Sequence, residues 1–196
     1  MKKNKPLVIG LVGPRGSGKT TLARSAATQL SHHNVTVNLI SMSAPLVAPT
    51  RSVLTSLGYH GEWEHGNPDS AEVKALMVGT KTFRQHLIDM SDSLKSLFGD
   101  NYFVECAKVR LAHVNQSHVA LIHNIRYPQE AELCDVLIRI DRAGTENTDT
   151  HSSERLQDDL PTHARVSNVE DKWSDSGGVL SAHILKALAT QRIENG

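Results

Sequence analysis

Eight consecutive residues, Gly13-Pro14-Arg15-Gly16-Ser17-Gly18-Lys19-Thr20, fit the pattern G-x-x-x-x-G-K-[ST] at every fixed position. Glycines at 13, 16 and 18 allow backbone angles closed to other residues. Successive N–H groups can then turn inward around phosphate oxygens at the positive end of a helix. Lys19 adds a mobile cation, and Thr20 offers a hydroxyl to the magnesium that accompanies a nucleoside triphosphate. The residue types from Gly13 through Thr21 therefore point to a nucleoside triphosphate and Mg2+ as ligands. The setting agrees: Leu7 to Val12 is a short apolar run suited to a buried strand, and Thr21 to Ala27 continues as a helix. A chance glycine-rich turn would have no reason to sit between those two elements.

A second group of polar residues comes after a later apolar run. Val119 to Asn124 reads as a strand, and Ile125-Arg126-Tyr127-Pro128-Gln129-Glu130 lies at its carboxyl end. Arg126, and Arg142 after the strand Asp135 to Asp141, can compensate charge on a moving phosphoryl group, or form ordinary surface ion pairs. Glu130, two residues after Pro128, suits a first helical turn. Asn124 can orient a water or simply form a turn. Arg84 lies beside Phe83 and off the apolar stripe Phe83, Leu87, Met90, Leu94 and Leu97; it can be a solvated charge or reach an acceptor phosphate.

The elements that must position these groups alternate in a way that predicts an α/β fold with a mostly parallel central sheet. Val35 to Ile40 completes a β-α-β unit, and Ser41 to Leu46 leaves the strand end and enters a helix through Leu57, with proline near its first turn and Gly58 as terminator. Tyr59 to Asp69 reads as a loop, either covering an acceptor or anchored at the surface by Trp63. Helices are expected over Ser70 to Val78, from Phe83 to Gly99, and after a capping Asp100. A polar stretch from Ala143 to Pro161 reads as a mobile lid or loop, Ala164 to Asn168 as a last strand, and a final helix is expected from about Gly178.

The chain has 196 residues, enough for one domain over 1–196, with a helical acceptor-binding region at about 41–115 and a lid-like segment at about 143–163. Lysine plus arginine balances aspartate plus glutamate at 21 each, so no global field draws it to nucleic acid or a membrane. Only Cys106 and Cys134 are present, without a C-x-x-C pair, which suggests a reduced, cytoplasmic protein whose cysteines are packing residues. The six-residue apolar run behind the basic start is too short for a signal peptide or a membrane span. Eleven histidines are scattered without zinc-ligand spacing.

The order of motifs resembles the bacteriophage deoxynucleoside monophosphate kinases, a P-loop family, over most of the chain. The matching pieces are the glycine loop, Ser43-Ala44-Pro45-Leu46, Phe83-Arg84-Gln85, Asn124 to Glu130, Arg139-Ile140-Asp141-Arg142, His151-Ser152-Ser153-Glu154 and Ser167-Asn168. The resemblance implies a P-loop NTPase-type three-layer fold with a small lid, in a host-cell cytoplasm. It also implies transfer of the γ-phosphoryl of ATP to a deoxynucleoside 5′-monophosphate. Lys19, Asn124, Arg126 and Arg142 would serve catalysis, Arg84, Glu130, His151 and Glu154 the substrate, and His151, Ser153 and Glu154 the lid. Asn124 departs from the aspartate of the family's D-x-R-x-P-x-E, which removes a negative charge from the expected metal network, with His123 or Glu130 as substitutes. Two alternatives stand: a DNA kinase phosphorylating the hydroxymethyl group of 5-hydroxymethyluracil in phage DNA, with Glu130, His123 or Asp92 as base, and a non-catalytic ATP-binding switch. The acceptor base and the oligomeric state are left open.

Overall fold

The computed structural model describes residues 5–114, 118–145, 156–169 and 173–194. They form two compact units, Met1–Met42 with Ala107–Gly196, and Ser43–Cys106. The first unit holds a five-stranded sheet of β1 (Leu7–Val12), β2 (Val37–Ser41), β5 (Val119–His123), β6 (Val136–Asp141) and β7 (Ala164–Ser167). The spatial order is β2-β5-β1-β6-β7, and every pairing is parallel. All residues of β1 and β5 are buried, as expected for central strands of a parallel sheet covered on both faces. This is the α/β fold with a mostly parallel sheet that the alternation of elements predicts.

One face of the sheet is covered by α1 (Lys19–Ser31) and by the long C-terminal helix α7 (Trp173–Glu194). Leu22, Ala26 and Leu30 of α1 and Leu180, Ile184 and Leu188 of α7 join Ile9, Leu11, Leu121, Ile138 and Ile140 in one core. On the other face Gly10 leaves room for Ile125, Leu137 and Cys134. Burial, with Asp135 and Glu130 nearby, pushes the Cys134 thiol up to about 12, so it packs as a neutral group.

The second unit contains α2 (Ala44–Ser56), α3 (Ala71–Ala75), a two-stranded hairpin of β3 (Met77–Val78) and β4 (Lys81–Thr82), and α4 (Phe83–Phe98). Its core is Leu54, Trp63, Val78 and Phe83. Arg51 closes the loop over it, donating to the carbonyls of Trp63 at 3.1 Å and Gly66 at 2.6 Å. Its guanidinium lies 5.9 Å from the Phe83 ring centre. Helix α5 (Tyr102–Ala112) runs from this unit into the first, and the short α6 (Pro128–Ala131) comes after β5.

Several expectations need correction. The helix expected over Ser70 to Val78 ends at Ala75, because Gly79, at φ 64°, turns the chain into the β3–β4 hairpin. Asp100 does not cap α5; that helix starts at Tyr102, after the Asn101 carbonyl accepts from Glu105 N–H. Leu97, on the predicted apolar stripe of α4, is 75% exposed. The C-terminal helix begins at Trp173 rather than near Gly178. Gly177 lies inside it, because a Cβ there would come within 2.2 Å of Ser25 Oγ and 2.9 Å of Ser25 Cβ on α1. The missing side chain sets how closely α1 and α7 approach. Gly177→Val should therefore lower the unfolding free energy by about 1–3 kcal/mol, the usual cost of overpacking; urea denaturation monitored by circular dichroism measures it, and unchanged stability would show that the two helices tolerate separation.

Candidate phosphate-binding site

The parallel sheet brings the carboxyl ends of β1, β5, β6 and β7 to one edge, where open α/β sheets bind ligands. The loop between β1 and α1 leaves that edge. Gly13, Gly16 and Gly18 all have positive φ, at 140°, 80° and 85°. At Gly13 the reason is also steric: a Cβ would lie 2.1 Å from the backbone oxygen of Ile140 on β6. The loop thus packs against the neighbouring strand as closely as backbone allows. Ser17 N–H donates to Pro14 O at 3.2 Å, and the first helical bond of α1 runs from Leu22 N–H to Gly18 O at 2.9 Å. The N–H groups of Lys19, Thr20 and Thr21 precede that bond at the helix N-terminus, the end of a helix that receives an anion.

Lys19 Nζ donates to the carbonyls of Gly13 at 2.6 Å and Pro14 at 2.8 Å, and lies 3.5 Å from Ser17 Oγ. Its ammonium is held over the loop by the loop's own carbonyls. A phosphate arriving there exchanges neutral acceptors for charged ones. Thr20 Oγ1 lies 3.4 Å from Nδ1 of His123, the buried last residue of β5. Among the described residues no group of three or more His, Cys, Asp or Glu side chains could hold a metal ion. A Thr20 hydroxyl fits Mg2+, which keeps several waters and takes substrate phosphates as ligands rather than a protein cage.

The other residues singled out in the sequence have varied surroundings. Asn124 comes directly after β5 at φ 68°, a left-handed conformation that asparagine tolerates, and turns the chain toward Arg126. Glu130 is 5% exposed, and its carboxylate faces inward, accepting from the N–H of Arg126 at 2.7 Å and of Tyr127 at 3.4 Å. It caps α6 and fixes the turn that carries Arg126. Arg142 Nη1 lies 3.4 Å from Gly16 O, and Thr145 Oγ1 donates to the Arg142 carbonyl at 2.7 Å. Arg139 spans β6 and the chain beyond it, bonding Asp141 at 2.8 Å and Asp158 at 2.7 Å. Burial opposes its charge, but the hydrogen bonds to Asp158 and Asp141 outweigh that and hold its pKa above the ordinary value. Arg84 lies in the first turn of α4, which Thr82 and Gln85 close as a capping box. His151, Ser153 and Glu154 lie outside the described residues.

Lys19, Thr20, Arg142 and the loop glycines are thus gathered at one sheet edge, with Asn124 and Arg126 in the turn that follows β5, the strand next to β1. Sequence reasoning gave no role to Asn168, whose side chain bonds the loop from 151 positions away. The signal available was its place at the end of the expected last strand, as Asn124 ends the strand expected from Val119.

The sequence pattern of the ATPase family associated with various cellular activities (AAA) matches residues 9–97, a span that holds the glycine loop and reaches into α4 but leaves out β5, β6 and β7. No curated protein sequence matches the chain. Among solved structures, TT1252 from Thermus thermophilus is similar at 15% identity and a TM-score of 0.50, over 93% of this chain and 98% of that one. A thymidylate kinase from Ehrlichia chaffeensis is similar at 18% identity and a TM-score of 0.44, over 94% and 100%. At 15% identity the likeness to TT1252 is one of fold. Fold and loop together define an α/β protein of the P-loop NTPase type.

Gly13→Ala should both destabilise the protein, by at least about 1–3 kcal/mol, and abolish nucleotide binding, since the new carbon meets backbone that cannot rotate away. Urea titration and ATP calorimetry read the two effects separately, and a variant with wild-type ATP affinity would contradict the close approach of loop and β6.

Proposed function

We propose that the protein is an ATP-dependent phosphotransferase whose acceptor is a deoxynucleoside 5′-monophosphate. The observation that carries this reading is the loop from Gly13 to Thr20, with Lys19 poised on its own carbonyls and Thr20 in the first turn of α1. Phosphoryl transfer asks for positioned reactants and compensated charge, with little covalent work from the protein. In the proposed reaction an acceptor phosphate oxygen bonds to the γ-phosphorus, the bond to the β–γ bridging oxygen breaks, and ADP leaves with that electron pair. Lys19 and the loop N–H groups hold the donor. When bound, Mg2+ supplies charge neutralisation at the donor phosphates, with Thr20 as its protein ligand. Arg142, beside Gly16, and Arg126, after β5, neutralise charge on the transferring group or the acceptor, and Arg84 belongs to the acceptor.

The nature of the acceptor is supported by the chemistry at the end of β5. A hydroxyl acceptor benefits from a strong base, whereas a phosphate monoester is already ionised. Glu130 is occupied by the N–H groups of Arg126 and Tyr127, and His123 Nδ1 faces the Thr20 hydroxyl. Asn124 is neutral. These groups suit a phosphate acceptor better than a hydroxymethyl group on DNA.

Coupled ADP release should show turnover with at least one deoxynucleoside monophosphate, and Lys19→Ala should cut kcat/KM by about 100-fold or more. Label from γ-labelled ATP entering DNA that contains 5-hydroxymethyluracil, with no turnover of free nucleotides, would move the acceptor to the polymer. Tight ATP binding without transfer to either would make the protein a switch.

A further inference from the structure

We infer that Asn168 is a positioning residue of the phosphate-binding loop, locking the peptide between Ser17 and Gly18 so that the Gly18 N–H faces the bound phosphate. The inference rests on the reading of Gly13 to Thr20 as a phosphate site. Asn168 comes directly after β7, and its own N–H donates to Asp141 O at 2.7 Å, which carries the β6–β7 pairing one step past the strand and fixes its backbone. Its side-chain Nδ2 donates to Ser17 O at 2.7 Å. Ser17 is fully buried and Asn168 is 3% exposed, so water does not compete for this bond. Because the partner is a carbonyl oxygen, the amide must present its nitrogen there.

The planar trans peptide then determines the rest. The carbonyl of Ser17 and the N–H of Gly18 belong to one peptide unit and point in opposite directions. Holding the carbonyl toward Asn168 turns the N–H away from it, to the side of the loop that meets phosphate. Without a lock, a flip of this unit is easy, because Gly18 is at φ 85° and glycine accepts either sign of φ. A flipped unit would put a carbonyl oxygen against phosphate oxygens.

A second observation argues that the donor is what this position requires. Among the described residues Asn168 Oδ1 is buried without a hydrogen-bond partner. An unpaired buried acceptor costs roughly 1–3 kcal/mol, and an apolar residue of similar shape would avoid that cost. The side chain is thus a poor choice for packing and a suitable one for holding Ser17.

Asn168→Leu removes the donor and the unpaired oxygen together, and Asn168→Asp keeps the shape but sets a carboxylate against the Ser17 carbonyl. Each is compared with the wild type in urea denaturation and in calorimetric titration with ATP and with inorganic tripolyphosphate, which has no base or sugar. Asn168→Leu should keep an unfolding midpoint near that of the wild type, because removing the unpaired oxygen offsets the Ser17 carbonyl left without its donor, and lose about 10- to 100-fold in affinity for both ligands, with Asn168→Asp losing at least as much. Unchanged tripolyphosphate affinity in either folded variant overturns the inference, as does loss for ATP alone. A readout without substitution is the Gly18 amide resonance of the wild type, which should shift on adding tripolyphosphate; a Gly18 amide that stays put while Lys19 and Thr20 shift overturns it too. If the wild type binds neither ligand, the phosphate-site reading itself fails, an outcome distinct from these.

Discussion

Everything at the candidate site depends on how closely the loop after β1 approaches β6. Gly13 has no side chain where any other residue would place a carbon 2.1 Å from the Ile140 carbonyl oxygen. That contact is possible because β1 and β6 are direct neighbours in the sheet, paired from Ile9 with Val136 to Val12 with Arg139. Once the loop lies against β6, the residues just past that strand and past β7 come within reach of it. Arg142 meets Gly16, and Asn168 meets Ser17. On the other side β5 is also paired with β1, and His123 reaches Thr20. Strand order, set by apolar strands buried on both faces, thus decides which side chains can act on a phosphate chain held over the loop.

The parts of this arrangement legible in the sequence were those with a local cause. A glycine loop between an apolar run and a helix carries its own local signature, and the runs Leu7 to Val12 and Val119 to His123 are apolar almost throughout because both of their faces are covered. Less legible were elements whose cause lies elsewhere in the chain. Glycines 177 and 178 look like a helix boundary, yet Gly177 is inside α7 because Ser25 packs against it. The β3–β4 hairpin is too short to show an alternating pattern, and only Gly79 marks its turn. Glu130 has the position of a first-turn carboxylate, but only its burial and its bonds to Arg126 and Tyr127 reveal that it holds a turn. Asn168 was visible only as the last residue of an expected strand, and its bond to Ser17 exists only once β6 lies beside β1 and β7 beside β6.

Within residues 43–106 the same logic operates on a smaller core. Trp63 and Phe83 pack with ring centres 5.6 Å apart, and Arg51 ties the Tyr59 to Asp69 segment down through two carbonyls. The tryptophan is therefore an anchor, as a surface loop with one buried aromatic implies. Phe83, the first residue of α4, is fully buried, so the helix start that carries Arg84 is fixed by packing as well as by its capping box. A cation on a well-fixed first turn loses less freedom on meeting a phosphate than one on a loose loop.

The end of β5 distributes charge in a way that bears on mechanism. Its last residue, His123, faces Thr20 through a ring nitrogen, and the next position is a neutral asparagine in a left-handed conformation. A carboxylate there would have added negative charge beside the Thr20 hydroxyl and partly offset Lys19. With none, the loop, Lys19 and Arg142 present a more positive surface to the donor phosphates. The inward turn of Glu130 has the same consequence for Arg126, because the carboxylate bonds the arginine's backbone and its charge is stabilised by N–H groups at the start of α6. A site so arranged suits the proposed pairing of a triphosphate donor with a phosphate acceptor, since both reactants bring their own negative charge.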